Sequence, residues 1–121
     1  MKKILVPTDF SYSANNALNF AVQSAKILPA EIILLHAFEV RGSVYTDYMG
    51  VDREFKQIMW DDAAKKLELV KQSIIESEDV NITTQIRKGT VKDAISETAG
   101  ETGADLVIMG FEAPKTIYEG N

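Results

Sequence analysis

The sequence predicts an α/β protein in which a parallel sheet, ordered 3-2-1-4, lies between two layers of helices. Three observations carry that reading. Strand-like and helix-like segments alternate strictly, βαβαβαβ, the order that builds a parallel sheet with helices on both faces. Three of the four strand segments are continuous apolar runs, as strands covered on both sides are. The third strand alternates apolar and polar residues instead, which marks a half-exposed edge. Right-handed crossovers leave few topologies. The alternating strand belongs at an edge and the first strand near the centre.

The elements follow in order. Ile4 to Val6 form a short buried strand that stops at Pro7, and the turn after it carries Asp9. Ala14, Ala17, Leu18, Ala21, Ala25 and Leu28 recur at spacings of three and four, an amphipathic helix. Ser11 or Ser13 caps its start, and Pro29 ends it. Glu31 to Ala37 is the second strand. Residues 39–50 mix Gly, Ser, Tyr, Asp and Arg without a period and read as a long loop. Tyr45, Tyr48 and Met49 in it are either a lid or partner surface, or an ordinary loop.

A long helix runs from about Val51 to Ser77, with Phe55, Ile58, Met59, Ala63, Leu67, Val70 and Ile74 as its apolar stripe and Trp60 off its centre. Val80, Ile82, Thr84 and Ile86 alternate with polar residues in the third strand. Gly89 breaks the chain, and Thr90 with Asp93 resembles a capping box. Val91, Ala94, Ile95, Thr98 and Ala99 make a short helix that stops near Gly100 and Gly103. Ala104 to Met109 is the fourth strand, ending at Gly110. The tail, Phe111 to Asn121, holds no convincing fifth strand, although Thr116 to Tyr118 has strand character. Strand four is then an apolar edge, which calls for a partner strand or chain.

Composition narrows the function. The 121 residues suit one domain, with 45% hydrophobic and 26% charged residues, an ordinary globular balance. The net charge of −5 lacks the basic footprint of a nucleic-acid binder and disfavours anionic membranes. There is no cysteine and one histidine, which excludes disulfides and thiolate chemistry. Met1-Lys2-Lys3 runs straight into a three-residue apolar run, unlike a signal peptide. A cytoplasmic location is expected.

The chain resembles the universal stress protein family. The resemblance rests on Ile4-Leu-Val-Pro-Thr-Asp-Phe-Ser11, the helix with Ala17 and Ala21, Ile32 to His36, Gly89, and Ala104 to Gly110. It implies a Rossmann-like, three-layer domain of the adenine nucleotide alpha hydrolase type, usually dimeric and linked to stress survival. It also implies ATP or another adenine nucleotide, with Mg²⁺ for a triphosphate. Nucleotide-binding members continue after strand four as Gly-x2-Gly-x9-Gly-Ser/Thr. This chain has Gly110, Ala113, Gly120 and Asn121, with a spacer three residues short, and Glu112 adds negative charge there. The family's next helix and fifth strand find no counterpart. Residues 1–121 are read as one such domain, C-terminally incomplete or the first half of a tandem protein.

The switch point of the 3-2-1-4 order falls between strands one and four, where open α/β sheets bind ligands. Asp9 and Gly110 meet there. The resemblance assigns the nucleotide to Pro7, Thr8, Asp9, Ala37, Met109, Gly110, Gly120 and Asn121. Local readings stand beside these roles. Asp9 is also a natural turn or cap acid, Pro7 a strand terminator, Gly110 a turn residue, and Met109 a core residue. His36 is expected to be structural, since no nucleophile or metal partner accompanies it. Arg87 and Lys88 either meet phosphates or end a solvated strand. No nucleophile–base set or Walker A pattern appears, so the expectation is a binding protein and not an enzyme, with weak nucleotide hydrolysis left open. The alternative is a non-nucleotide-binding dimerisation or interaction module of the same fold.

Overall fold

The structure is a computed structural model that describes residues 1–38 and 51–111. Among the described residues, seven elements follow one another: β1 (Lys2–Pro7), α1 (Tyr12–Ile27), β2 (Ala30–Phe38), α2 (Val51–Ile75), β3 (Ile82–Lys88), α3 (Val91–Thr102) and β4 (Leu106–Val107). The four strands form one parallel sheet in the order β3-β2-β1-β4, as the sequence predicts. The loop readings at residues 39–50, Tyr45, Tyr48 and Met49 included, and the tail from Glu112 to Asn121 lie outside the described residues.

Alternation along the central strands divides the core into two layers. Ile4, Val6, Ile32 and Leu34 turn to one face and pack with Leu18, Ala21, Val22 and Ala25 of α1 and Leu67 of α2. Leu5, Ile33 and Leu35 turn to the other and meet Ala94 of α3, with Ile95 and Ala99 beside it. These strands have no wet face, which is why they read as unbroken apolar runs.

The helix ends follow the local chemistry. Ser11 caps α1 by accepting the Ala14 N–H at 3.2 Å. Thr90 caps α3 by accepting the Asp93 N–H at 3.1 Å. α3 passes through Gly100 and stops at Gly103, whose φ of 71° gives the left-handed turn of a helix end that glycine adopts without a Cβ penalty.

Two expectations need correction. β4 pairs over two residues, not six; Ile4 and Leu5 of β1 meet Leu106 and Val107. Leu106 and Val107 are 44% and 45% exposed, and among the described residues β4 lies at an edge of the sheet. The stripe of α2 is also rotated. Ala63 and Leu67 are buried and Val70 and Ile74 pack on the core, but Phe55, Ile58 and Met59 face outward at 57%, 66% and 44% exposure. The inward positions toward the helix start are held by Trp60 and its neighbours. Trp60 lies edge-on against Phe38, with ring centroids 6.0 Å apart.

Candidate functional site

β1 continues past its ladder into a tightly held loop. The Thr8 N–H donates to the Leu35 carbonyl at 2.8 Å, extending the β1–β2 pairing by one residue. The Thr8 carbonyl lies 2.9 Å from Nδ1 of His36, and the Phe10 N–H donates to the Thr8 hydroxyl at 3.0 Å. Phe10 takes a φ of 65°, a left-handed conformation that costs a bulky residue of order 1–3 kcal/mol. Its ring stacks on His36 at 4.8 Å, with Lys66 Nζ 5.6 Å from its centroid. His36 is thus a structural tie, as expected: it fixes the loop that presents Asp9.

Asp9 accepts the Ser11 N–H at 2.9 Å. Hydrogen bonding from the Ser11 side chain, then from its backbone N–H, holds the Asp9 carboxyl below its ordinary value, because those donors favour the charged form. The turn reading of Asp9 is therefore correct as geometry. It leaves an ionised carboxylate fixed in position at the mouth of a cleft.

That cleft, of about 130 Å³, is lined by Pro7, Thr8, Asp9, Ser11, Ser13, Ala14, Leu35, Ala37, Val91, Met109 and Gly110. Six residues singled out in the sequence, Pro7, Thr8, Asp9, Ala37, Met109 and Gly110, come together there from the ends of β1, β2 and β4. Met109 is not core: it is 52% exposed and forms cleft wall. Gly120 and Asn121 lie outside the described residues. Ser11, Ser13, Ala14, Leu35 and Val91 were not singled out as site residues. The signals that could have found them are the serine cap at the start of α1 and the Gly89-Thr90-Val91 start of α3, since both helices begin at carboxyl ends of strands.

Gly110 has a role the sequence did not reveal. Its φ is not positive. A Cβ on it would lie 2.4 Å from the Ser13 carbonyl oxygen, 2.5 Å from the Ser13 carbonyl carbon and 2.8 Å from the Ala14 nitrogen. Glycine here lets the chain after β4 rest against the first turn of α1, and that contact sets one wall of the cleft.

Arg87 and Lys88 part company. The Arg87 guanidinium is bound to Glu101 and lies 3.6 Å from Glu97 of α3, so it ties β3 to that helix. Lys88 Nζ sits 5.9 Å from the centroid of the Trp60 ring. Neither lines the cleft of Asp9.

The lining pairs apolar walls with one fixed acceptor. Leu35, Ala37, Val91 and Met109 offer apolar wall to a flat base, and Asp9 is an acceptor for a hydroxyl or amino group. The space is close to the cavity of about 150 Å³ that holds a benzene ring. Among the described residues, no group of three His, Cys, Asp or Glu gathers to hold a metal ion. No helix among them is long and apolar enough to cross a membrane.

Comparison with known proteins agrees with this architecture. The universal stress protein family matches residues 1–117. Universal stress protein MJ0577 of Methanocaldococcus jannaschii is 33% identical over 135 residues, covering 98% of this chain and 81% of the relative. The solved structure of that protein aligns with a TM-score of 0.78 at 30% identity, over 98% of this chain and 80% of its own. UspA of Lactobacillus plantarum aligns with a TM-score of 0.79 at 24% identity, over 94% and 81%. The match over nearly the whole chain, on a sheet of the same order, means that this chain belongs to the universal stress protein family.

Proposed function

We propose that the chain serves the stress response by binding an adenine nucleotide in the crevice between β1 and β4. The observation that carries this reading is the convergence of Pro7, Thr8, Asp9, Ala37, Met109 and Gly110 on one cleft. In this reading the base lies against Leu35, Ala37, Val91 and Met109, and Asp9 accepts from the nucleoside. The N–H groups at the starts of α1 and α3 face the phosphate side, where helix ends favour negative charge. The family resemblance assigns Gly120 and Asn121, which lie outside the described residues, to that side. A triphosphate would bring Mg²⁺, which supplies charge neutralisation between phosphate oxygens. A universal stress protein in complex with cAMP shares the fold, with a TM-score of 0.54 at 24% identity over 88% of this chain and 69% of its own. That complex lends support to a nucleotide on this scaffold.

The role is binding and not catalysis, in a cytoplasmic setting, with a small nucleotide and neither nucleic acid nor membrane as the partner. Calorimetry with ATP, ADP and AMP tests it. Saturable heat is expected for at least one of them, and no heat at millimolar ligand would defeat the proposal.

One observation favours a second reading, a homodimer or tandem-domain interaction module. Among the described residues, Leu106 and Val107 of the edge strand β4, and Met109 and Phe111 just after it, are apolar and exposed, and such edges recruit partner strands. Sedimentation should then detect a dimer at micromolar concentration; a monomer throughout would count against it.

A further inference from the structure

Asp9 belongs to a loop whose residues on either side of it are both held by one side chain of β2. The Thr8 carbonyl lies 2.9 Å from Nδ1 of His36. A carbonyl can only accept, so Nδ1 carries the proton and donates it. On the other side of Asp9, the Phe10 ring meets the same imidazole, with centroids 4.8 Å apart. His36 thus grips the residue before Asp9 by a hydrogen bond and the residue after it by its ring.

This grip bears on the backbone. Phe10 takes a φ of 65°, a conformation that a bulky residue keeps only where its surroundings over-determine it. Phe10 stands between the Asp9 carboxylate and the Ser11 N–H that donates to it at 2.9 Å, so its φ decides whether that acceptor and donor meet. The Phe10 N–H is held as well, by the Thr8 hydroxyl at 3.0 Å, and Thr8 is buried. Ala37, the next residue of β2, lines the cleft, whereas His36 does not, as successive residues of a strand turn to opposite faces.

Given the nucleotide reading of the crevice between β1 and β4, on which this rests, we propose that His36 is a positioning residue for ligand binding there. Its Nδ1–H and its ring fix where the Asp9 carboxylate stands, and so how tightly a nucleoside is held. It does this through Thr8 and Phe10, without touching the ligand.

Two substitutions separate the hydrogen bond from the rest of the side chain. His36→Asn attaches an amide N–H to Cγ, where histidine attaches Nδ1, and so keeps the donor. His36→Phe keeps a ring against Phe10 and leaves the Thr8 carbonyl without that donor. The Ser11 side chain and N–H foremost, and the His36 charge last, hold the Asp9 carboxyl below its ordinary value. Both substitutions remove that charge, so a difference between them reports the donor. The first readout needs no ligand: the Asp9 carboxyl is titrated by NMR in the whole chain. It should move up toward the ordinary carboxylate value further in His36→Phe than in His36→Asn. The second is calorimetry with ATP, ADP and AMP. For each nucleotide that binds the parent chain, Kd should rise about tenfold or more in His36→Phe, as affinity falls when a ligating group loses its outer partner, and less in His36→Asn. Circular dichroism checks that both variants fold. Equal Asp9 titrations in the two variants, or equal affinities, overturn the proposal. A parent chain that gives no heat with any of the three overturns the nucleotide reading instead, and the Asp9 titration still decides whether His36 positions that carboxylate.

Discussion

Gly110→Ala is the substitution whose outcome the geometry dictates most sharply. The new Cβ would stand 2.4 Å from the Ser13 carbonyl oxygen and 2.8 Å from the Ala14 nitrogen. Both are backbone atoms in the capped first turn of α1, so no side chain can swing aside. Relief requires moving α1 or the end of β4, and α1 is anchored by Ala14, Ala17, Leu18, Ala21, Val22 and Ala25, all buried. Overpacking of this kind costs about 1–3 kcal/mol, and a backbone-on-backbone clash belongs at the upper end, about 2–3 kcal/mol. For a chain this size that lowers Tm by about 8–12 °C. The assay is urea unfolding followed by circular dichroism, with the midpoint falling and the slope unchanged. Gly100→Ala is the internal control. Nothing lies within 4 Å of its Cβ position and it sits inside α3, so alanine there should stabilise by up to about 1 kcal/mol. The close-approach argument fails if Gly110→Ala unfolds within about 0.5 kcal/mol of the parent chain.

Other outcomes follow from packing and charge. Leu67→Ala should cost about 2–5 kcal/mol by opening a cavity, because Leu67 is 2% exposed in the main core. Ile58→Ala, on the outer face at 66% exposure, should stay within about 0.5 kcal/mol in the same urea assay; equal costs would mean that the stripe of α2 is placed wrongly. Acid should destabilise the fold in a definite direction. The carboxyls of Asp9, Glu78 and Glu101 are held below their ordinary values, chiefly by Ser11, Lys26 and Arg87 respectively. The unfolded chain therefore takes up protons first, so their stabilisation is complete above the ordinary carboxylate range and drains away as pH falls through the lower folded values. Urea midpoints measured from pH 7 downward should hold level and then decline below about pH 4. Asp9→Asn should soften that decline, and an unchanged decline would remove Asp9 from the account.

Much of the fold was legible because the physics behind it is local. Ile32 to Leu35 read as an unbroken apolar run since α1 and α2 cover one side of β2 and α3 the other. Val80 to Arg87 alternated because, among the described residues, β3 lies at an edge of the sheet. What escaped depends on where elements end in space. The periodicity of α2 cannot tell that the sheet stops at Phe38 and Lys88, so Phe55 and Ile58 were assigned inward and Lys56 and Trp60 were not. The run from Ala104 to Met109 reads as a long strand, although the ladder continues only over Leu106 and Val107.

The site divides along the same line. Asp9 was found because strand–turn–helix punctuation puts it at a carboxyl end, and Ala37, Met109 and Gly110 followed from strand order and resemblance. Ser13, Leu35 and Val91 escaped because they reach the cleft through tertiary packing. Gly110 was read as a nucleotide contact or a turn residue, and the close approach it permits is to Ser13, a partner nearly a hundred residues away in sequence that no local pattern names.

Amide NMR shift mapping with AMP tests most directly the proposed binding of an adenine nucleotide in the crevice between β1 and β4. The account predicts saturable shifts at Thr8, Asp9, Ala37, Val91 and Gly110, with Asn81 and Ile82 at the opposite end of the sheet unmoved. Absence of shifts at millimolar AMP, or shifts confined to residues outside the cleft, would contradict it.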